Sequence, residues 1–129
     1  MSSVRKFVMY GPADTLQRFE EQLAAAAKPE YSFSYTNKDN DDTVLAKVYE
    51  EHKKLINSSI TVNLLIIISG DRLALDFVVT GGRLGFRGGP AERTNAEPSI
   101  QDILYEFILE FSERHGLTIQ ENKVLEEKE

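Results

Sequence analysis

Two alternating runs, "SITVNLLIIIS" and "RLALDFVVT", flank Gly70-Asp71 and form the clearest pattern in the chain. A two-residue loop led by glycine is the sequence mark of a tight β-hairpin. Around it Ile68 faces Leu73, Ile66 faces Leu75, Leu64 faces Phe77 and Val62 faces Val79, apolar on both members of every pair. A slip of one residue would destroy this agreement, because successive strand side chains point to opposite faces. The other face of the hairpin carries Leu65, Ile67, Ala74 and Val78 among Thr61, Asn63, Asp76 and Thr80. A sheet with one wet face alternates more cleanly than this, so the patch predicts a cover: a second subunit, a ligand or another piece of the chain.

Elsewhere the pattern predicts a first strand, Val4 to Tyr10, closed by Gly11-Pro12. A helix follows, with Asp14 and Gln17 spaced as a capping box and Leu16, Phe19, Leu23 and Ala27 on one face, ended by Pro29. Tyr31, Phe33 and Tyr35 alternate with Ser32, Ser34 and Thr36, a half-buried strand whose aromatic side reads as a core face rather than a stacking platform. "NKDNDD" is a solvated turn, since the spacing and terminal glutamate of a calcium loop are missing. Val44 to Ile56 fits both a helical and a two-residue period. Ser99 caps the last helix after Pro98, with Asp102 three residues on and Ile100, Ile103, Leu104, Phe107, Ile108 and Phe111 as its apolar stripe. Gly116 closes it, with His115 where a cation suits the helix dipole.

The 129 residues suit one domain, residues 1–117, followed by an acidic, flexible tail, residues 118–129. The absence of cysteine excludes disulfides and thiolate metal sites. Apolar runs are too short for a signal peptide or a bilayer crossing, so no membrane role and a cytoplasmic location are expected. A net charge of −6 works against nucleic-acid binding, whose affinity comes from neutralising phosphates.

Candidate chemistry is sparse. Thr80 to Arg93, "TGGRLGFRGGPAER", holds five of the eight glycines and three arginines. It lacks the lysine of a P-loop and the strand-to-helix spacing of a dinucleotide fingerprint. The favoured reading is a kink at Gly81-Gly82 with a short strand extension. Arg83, Arg87 and Arg93 keep an anion site in play, because arginine beside exposed backbone N–H groups can hold a carboxylate or phosphate. Asp76, mid-strand between Leu75 and Phe77, is a candidate ligand-binding or general-base carboxylate. His52 lies in "YEEHKK", without the zinc motif H-E-x-x-H. No metal site, cofactor or nucleophile motif is expected.

The run from Val44 to Gly82 resembles a family of small uncharacterised bacterial proteins, in which a valine-rich strand ending in Tyr/Phe-Glu precedes a hairpin and a Gly-Gly. The matching residues are Val44, Val48, Tyr49, Glu50, Gly81 and Gly82. The resemblance implies a strand at Val44 to Lys53 and the order β-α-β-β-β-β-α: an α+β fold with a single antiparallel sheet and two helices on one face. That order is similar to TATA-binding-protein-like and small helix-grip architectures, whose larger relatives enclose apolar ligands between sheet and C-terminal helix. No catalytic residue comes with it. The expected function is a non-catalytic binding or regulatory module, a homodimer through Leu65, Ile67, Ala74 and Val78. One alternative is a carrier of an apolar or anionic ligand met by Arg83 or Arg87, and another is a small enzyme using Asp76 or His52.

Overall fold

A computed structural model of the chain describes residues 2–53, 58–81 and 99–123. In chain order the elements are β1 (Ser2–Tyr10), α1 (Ala13–Leu16), α2 (Phe19–Ala26), β2 (Tyr31–Thr36), β3 (Thr43–Lys53), β4 (Ser58–Ser69), β5 (Arg72–Gly81), α3 (Ile100–Arg114) and β6 (Thr118–Lys123). The strands form one antiparallel sheet in the order β2-β3-β4-β5-β1-β6. The fold is α+β, with the helices on one face of this sheet.

The β4–β5 register is the one that the apolar pairs demand: Ile68 opposes Leu73, Ile66 opposes Leu75, Leu64 opposes Phe77 and Val62 opposes Val79. Gly70 takes φ +59 at the first loop position, the backbone that a glycine-led hairpin turn needs. Leu64, Ile66, Leu73, Leu75 and Phe77 are buried in the core. β1 lies on the far side of β5 and adds Phe7 and Met9 to the same layer.

α2 and α3 roof this layer. Phe19 meets Phe107 and Phe111 edge to face, with ring centroids 5.3 and 5.0 Å apart. Such contacts add to the area that the rings bury. Ser99 caps α3 as expected, its hydroxyl accepting from the Asp102 backbone N–H. Gly116 follows at φ +66, and the His115 ring lies tilted against Phe111, centroids 4.6 Å apart.

Two expectations change and one ambiguity is resolved. The first helix starts from Pro12 without a side-chain cap, and Asp14 sits inside its first turn. Proline suits this end because its missing N–H is one that the first turn leaves unbonded anyway. The helix also tightens between Leu16 and Phe19, where the Arg18 N–H bonds back only to Thr15. The ambiguous Val44 segment is a strand as far as Lys53: Leu45 and Tyr49 turn into the core, while Val44, Ala46 and Val48 take the other face. The tail begins not with free chain but with β6, which pairs Thr118 with Tyr10 and Gln120 with Val8. Ile119, half-buried against the core, anchors that strand, so the sheet has six strands among the described residues rather than five.

Gly81 ends β5 at φ +82, and a Cβ there would meet the Ser59 carbonyl oxygen at 2.7 Å. This is the bend expected at the Gly-Gly pair; the rest of the glycine stretch, from Gly82, lies outside the described residues. Replacing Leu64 or Phe77 with alanine is expected to cost about 2–5 kcal/mol, the range of buried large-to-small truncations. Chemical denaturation measures this, and a loss below about 0.5 kcal/mol would contradict the register.

Candidate functional site

The face of the sheet turned away from the helices is the main candidate surface. Register aligns its side chains in rows across the strands. One row runs Tyr35, Val44, Ile67, Ala74, Val8 and Gln120. The next runs Phe33, Ala46, Leu65, Asp76, Lys6 and Asn122, and a third runs Tyr31, Val48, Asn63, Val78 and Val4. The face is therefore apolar across β2, β3 and β4 and turns polar toward β6.

The hairpin residues expected to share this patch do share it: Leu65 and Ile67 are 44% and 42% exposed, with Ala74 and Val78 half-buried on the neighbouring β5. The aromatic row of β2 was expected in the core and is not there. Tyr31, Phe33 and Tyr35 are 58%, 47% and 55% exposed on the open face. The cause is the six-residue turn, Asn37 to Asp42, which sets Thr36 opposite Thr43 and so brings Tyr35 beside Val44. Within β2 the alternative side holds only Ser and Thr, so no local signal marks the outward choice.

What the core side of β3 receives instead is Lys47, 6% exposed among apolar neighbours. Its ammonium donates to Glu20 of α2 at 2.8 Å and to the Ser32 hydroxyl of β2 at 2.7 Å. A buried ammonium is tolerated only when paired and hydrogen-bonded in this way. The contact ties α2, β3 and β2 together.

Asp76 is on the open face, its carboxylate 2.9 Å from the Lys6 ammonium, with both side chains partly exposed. It is a solvated ion pair at the polar side of the apolar patch, not a buried acid. His52 lies on β3, exposed, and shares a 2.8 Å hydrogen bond with the Ser59 hydroxyl across the strand pair. Asp76 and His52 are not brought together, and Arg83, Arg87 and Arg93 lie outside the described residues. Among the described residues no three His, Cys, Asp or Glu side chains gather as metal ligands, and no helix is long and apolar enough to cross a membrane.

On the helix side, Arg5 lies over the Tyr105 ring at 4.5 Å and reaches Glu121 at 2.7 Å. A groove of about 410 Å³ runs between α2 and α3, bordered by Ala25, Ala26, Phe107, Glu106 and Glu110. It lies on the outside of the helix pair. Between α3 and the sheet, Leu104, Ile108 and Phe111 are buried completely.

Tyr49 is the unusual polar group of the interior. Its hydroxyl is buried with no hydrogen-bond partner among the described residues. Burial pushes its pKa up to about 12 from 10.0. No family model matches the chain, and no curated protein or solved structure matches it either.

Because the folded state holds this proton more tightly than the unfolded chain, Tyr49 lends stability that is complete below pH 10. It is lost as pH rises through the folded value near 12. Tyr49→Phe removes both the unpaired hydroxyl and this titration. Stability at neutral pH is expected to hold or rise by about 1 kcal/mol. The fall between pH 10 and 12 is expected to flatten, as read from denaturant melts across that range.

Proposed function

We propose that this chain is a non-catalytic binding module, regulatory or structural in role, whose working surface is the open sheet face and whose first partner is a second copy of itself. The observation that supports this is the row of Tyr31, Phe33 and Tyr35 standing exposed beside Leu65 and Ile67 on one continuous face. Buried aromatic side chains contribute about 150–250 Å² each, so three that are half exposed offer about 300 Å². With Leu65, Ile67 and the valines of β1, β3 and β5, the face approaches the roughly 800 Å² per partner of a standard interface. Two such faces pack as sheets do, about 10 Å apart, with side chains interdigitated. A twofold axis in this contact lets one patch cover its own copy.

A carrier of a small apolar or anionic ligand is the weaker reading, because the layer between α3 and the sheet is filled by its own side chains. Catalysis by Asp76 or His52 is weaker still, since each is engaged by a single exposed partner and the two lie apart.

Ile67→Asp places a carboxylate at the centre of the face, between Val44 and Ala74, without touching the core. The wild type is expected to sediment as a dimer at micromolar concentration, and Ile67→Asp as a folded monomer with unchanged far-ultraviolet dichroism. A monomeric wild type at that concentration would refute self-association through this face.

A further inference from the structure

We infer that β2 is a second self-association site, an open sheet edge that pairs antiparallel with β2 of another copy in a register centred on Ser34. This goes beyond the face contact and stands without it. Among the described residues β2 is one of the two edge strands of the sheet, and all six of its residues are exposed. The helices therefore leave room for a strand alongside it. Soluble proteins guard such edges with charge, proline or a bulge. β2, "YSFSYT", contains none of them, and its pairing with β3 runs unbroken from Tyr31 to Thr36.

The backbone geometry identifies the free groups. The Asn37 N–H bonds to the Asp42 carbonyl, and in an antiparallel ladder bonded and non-bonded pairs alternate. Tyr31, Phe33 and Tyr35 thus turn their amides toward β3, and Ser32, Ser34 and Thr36 turn theirs outward. The edge is also held ready. Lys47 donates to the Ser32 hydroxyl, and the Thr36 and Thr43 hydroxyls are 3.2 Å apart. A strand ordered in advance loses less freedom on association.

A second copy is the occupant that the side chains favour. Centring the register on Ser34 uses all three outward residues: Ser32 meets Thr36 of the copy, Ser34 meets Ser34, and Phe33 lies beside Tyr35. The same register brings Glu30, just before the strand, opposite Lys38, just after it, at both ends of the pair. Moving the centre to Phe33 would instead set Lys28 against Lys38. The opposite edge of the sheet, β6, presents Gln120 and Asn122 on the open face, so head-to-tail pairing would lay the aromatic residues against amides rather than against one another. Twofold pairing of β2 with itself closes, where head-to-tail pairing would propagate. Both open faces then point the same way, and the aromatic rows of the two copies merge. One strand buries less than a standard interface, so this contact forms at higher concentration than the face dimer.

Amide hydrogen exchange and sedimentation of the full chain, from micromolar to millimolar concentration, test this. The Ser34 and Thr36 amides are expected to gain protection as concentration rises, in the wild type and equally in Ile67→Asp. Glu30→Lys and Lys38→Glu are each expected to weaken the concentrated species by about tenfold, and the double exchange to restore it. These exposed positions leave the fold intact. Ser34→Pro, which removes an outward N–H that β3 does not use, is expected to abolish it. A wild type that dimerises while Ser34 and Thr36 exchange at one rate throughout would overturn edge pairing and leave the face reading standing. Protection that rises in Ile67→Asp, together with unchanged wild-type mass at micromolar concentration, would do the reverse. Failure of the double exchange to restore association would overturn the Ser34 register.

Discussion

Gly70 at positive φ joins β4 to β5 in a loop of two residues, and the parity of the central sheet follows from that join. With Ile68 opposite Leu73, even positions of β4 and odd positions of β5 share one side. Those positions receive α3, α2 and the rings of Phe19, Phe107 and Phe111. The same parity sends Leu65, Ile67, Ala74 and Val78 the other way. Core and open face are two outcomes of one constraint. A register error of one residue would exchange them.

The second organising contact works at the margin of the sheet. Lys47 occupies a core-facing position, and its ammonium is satisfied by Glu20 and Ser32 together. Only the ammonium is buried; the Glu20 carboxylate reaches solvent, which lowers the desolvation cost of the pair. What the lysine supplies is position: it joins the helix layer to a strand that the helices do not cover. β2 has no buried side chain of its own. Its place in the sheet rests on the β3 ladder, this ammonium and the Asn37–Asp42 turn, in which the Asn37 and Asn40 side chains accept backbone N–H groups.

The parts of this architecture legible from residues alone are those whose cause is local. The hairpin register was readable because glycine fixes the loop and the apolar pairs agree. The last helix was readable from Ser99, Asp102 and a continuous stripe. In β2 the two sides, aromatic and hydroxylic, suggest a core face by hydrophobicity, whereas the side is set by pairing through a six-residue turn. Lys47 carries no local signal for the same reason: until β3 is placed, nothing distinguishes the Val44 side from the Leu45 side. β6 has only Ile119 as an apolar anchor, and its partner strand β1 lies at the opposite end of the chain. The open face was thus foreseen in part: Leu65 and Ile67 from the hairpin, without the aromatic row that completes it.

The position of β1 between β5 and β6 has a consequence for biosynthesis. Lys6 and Asp76 are 70 positions apart, and Arg5 and Glu121 are 116 apart. At ribosomal rates of roughly 5–20 residues per second, β1 waits roughly 4–14 seconds for its first neighbour and longer for its second. Phe7 and Met9 are without their sheet during that interval. The strands from β2 to β5 are joined by short connections in sequence order, so they are the part of the sheet that can assemble while translation continues. The strand made first is therefore inserted late, and the emerging polypeptide carries two unburied core side chains that a chaperone would find.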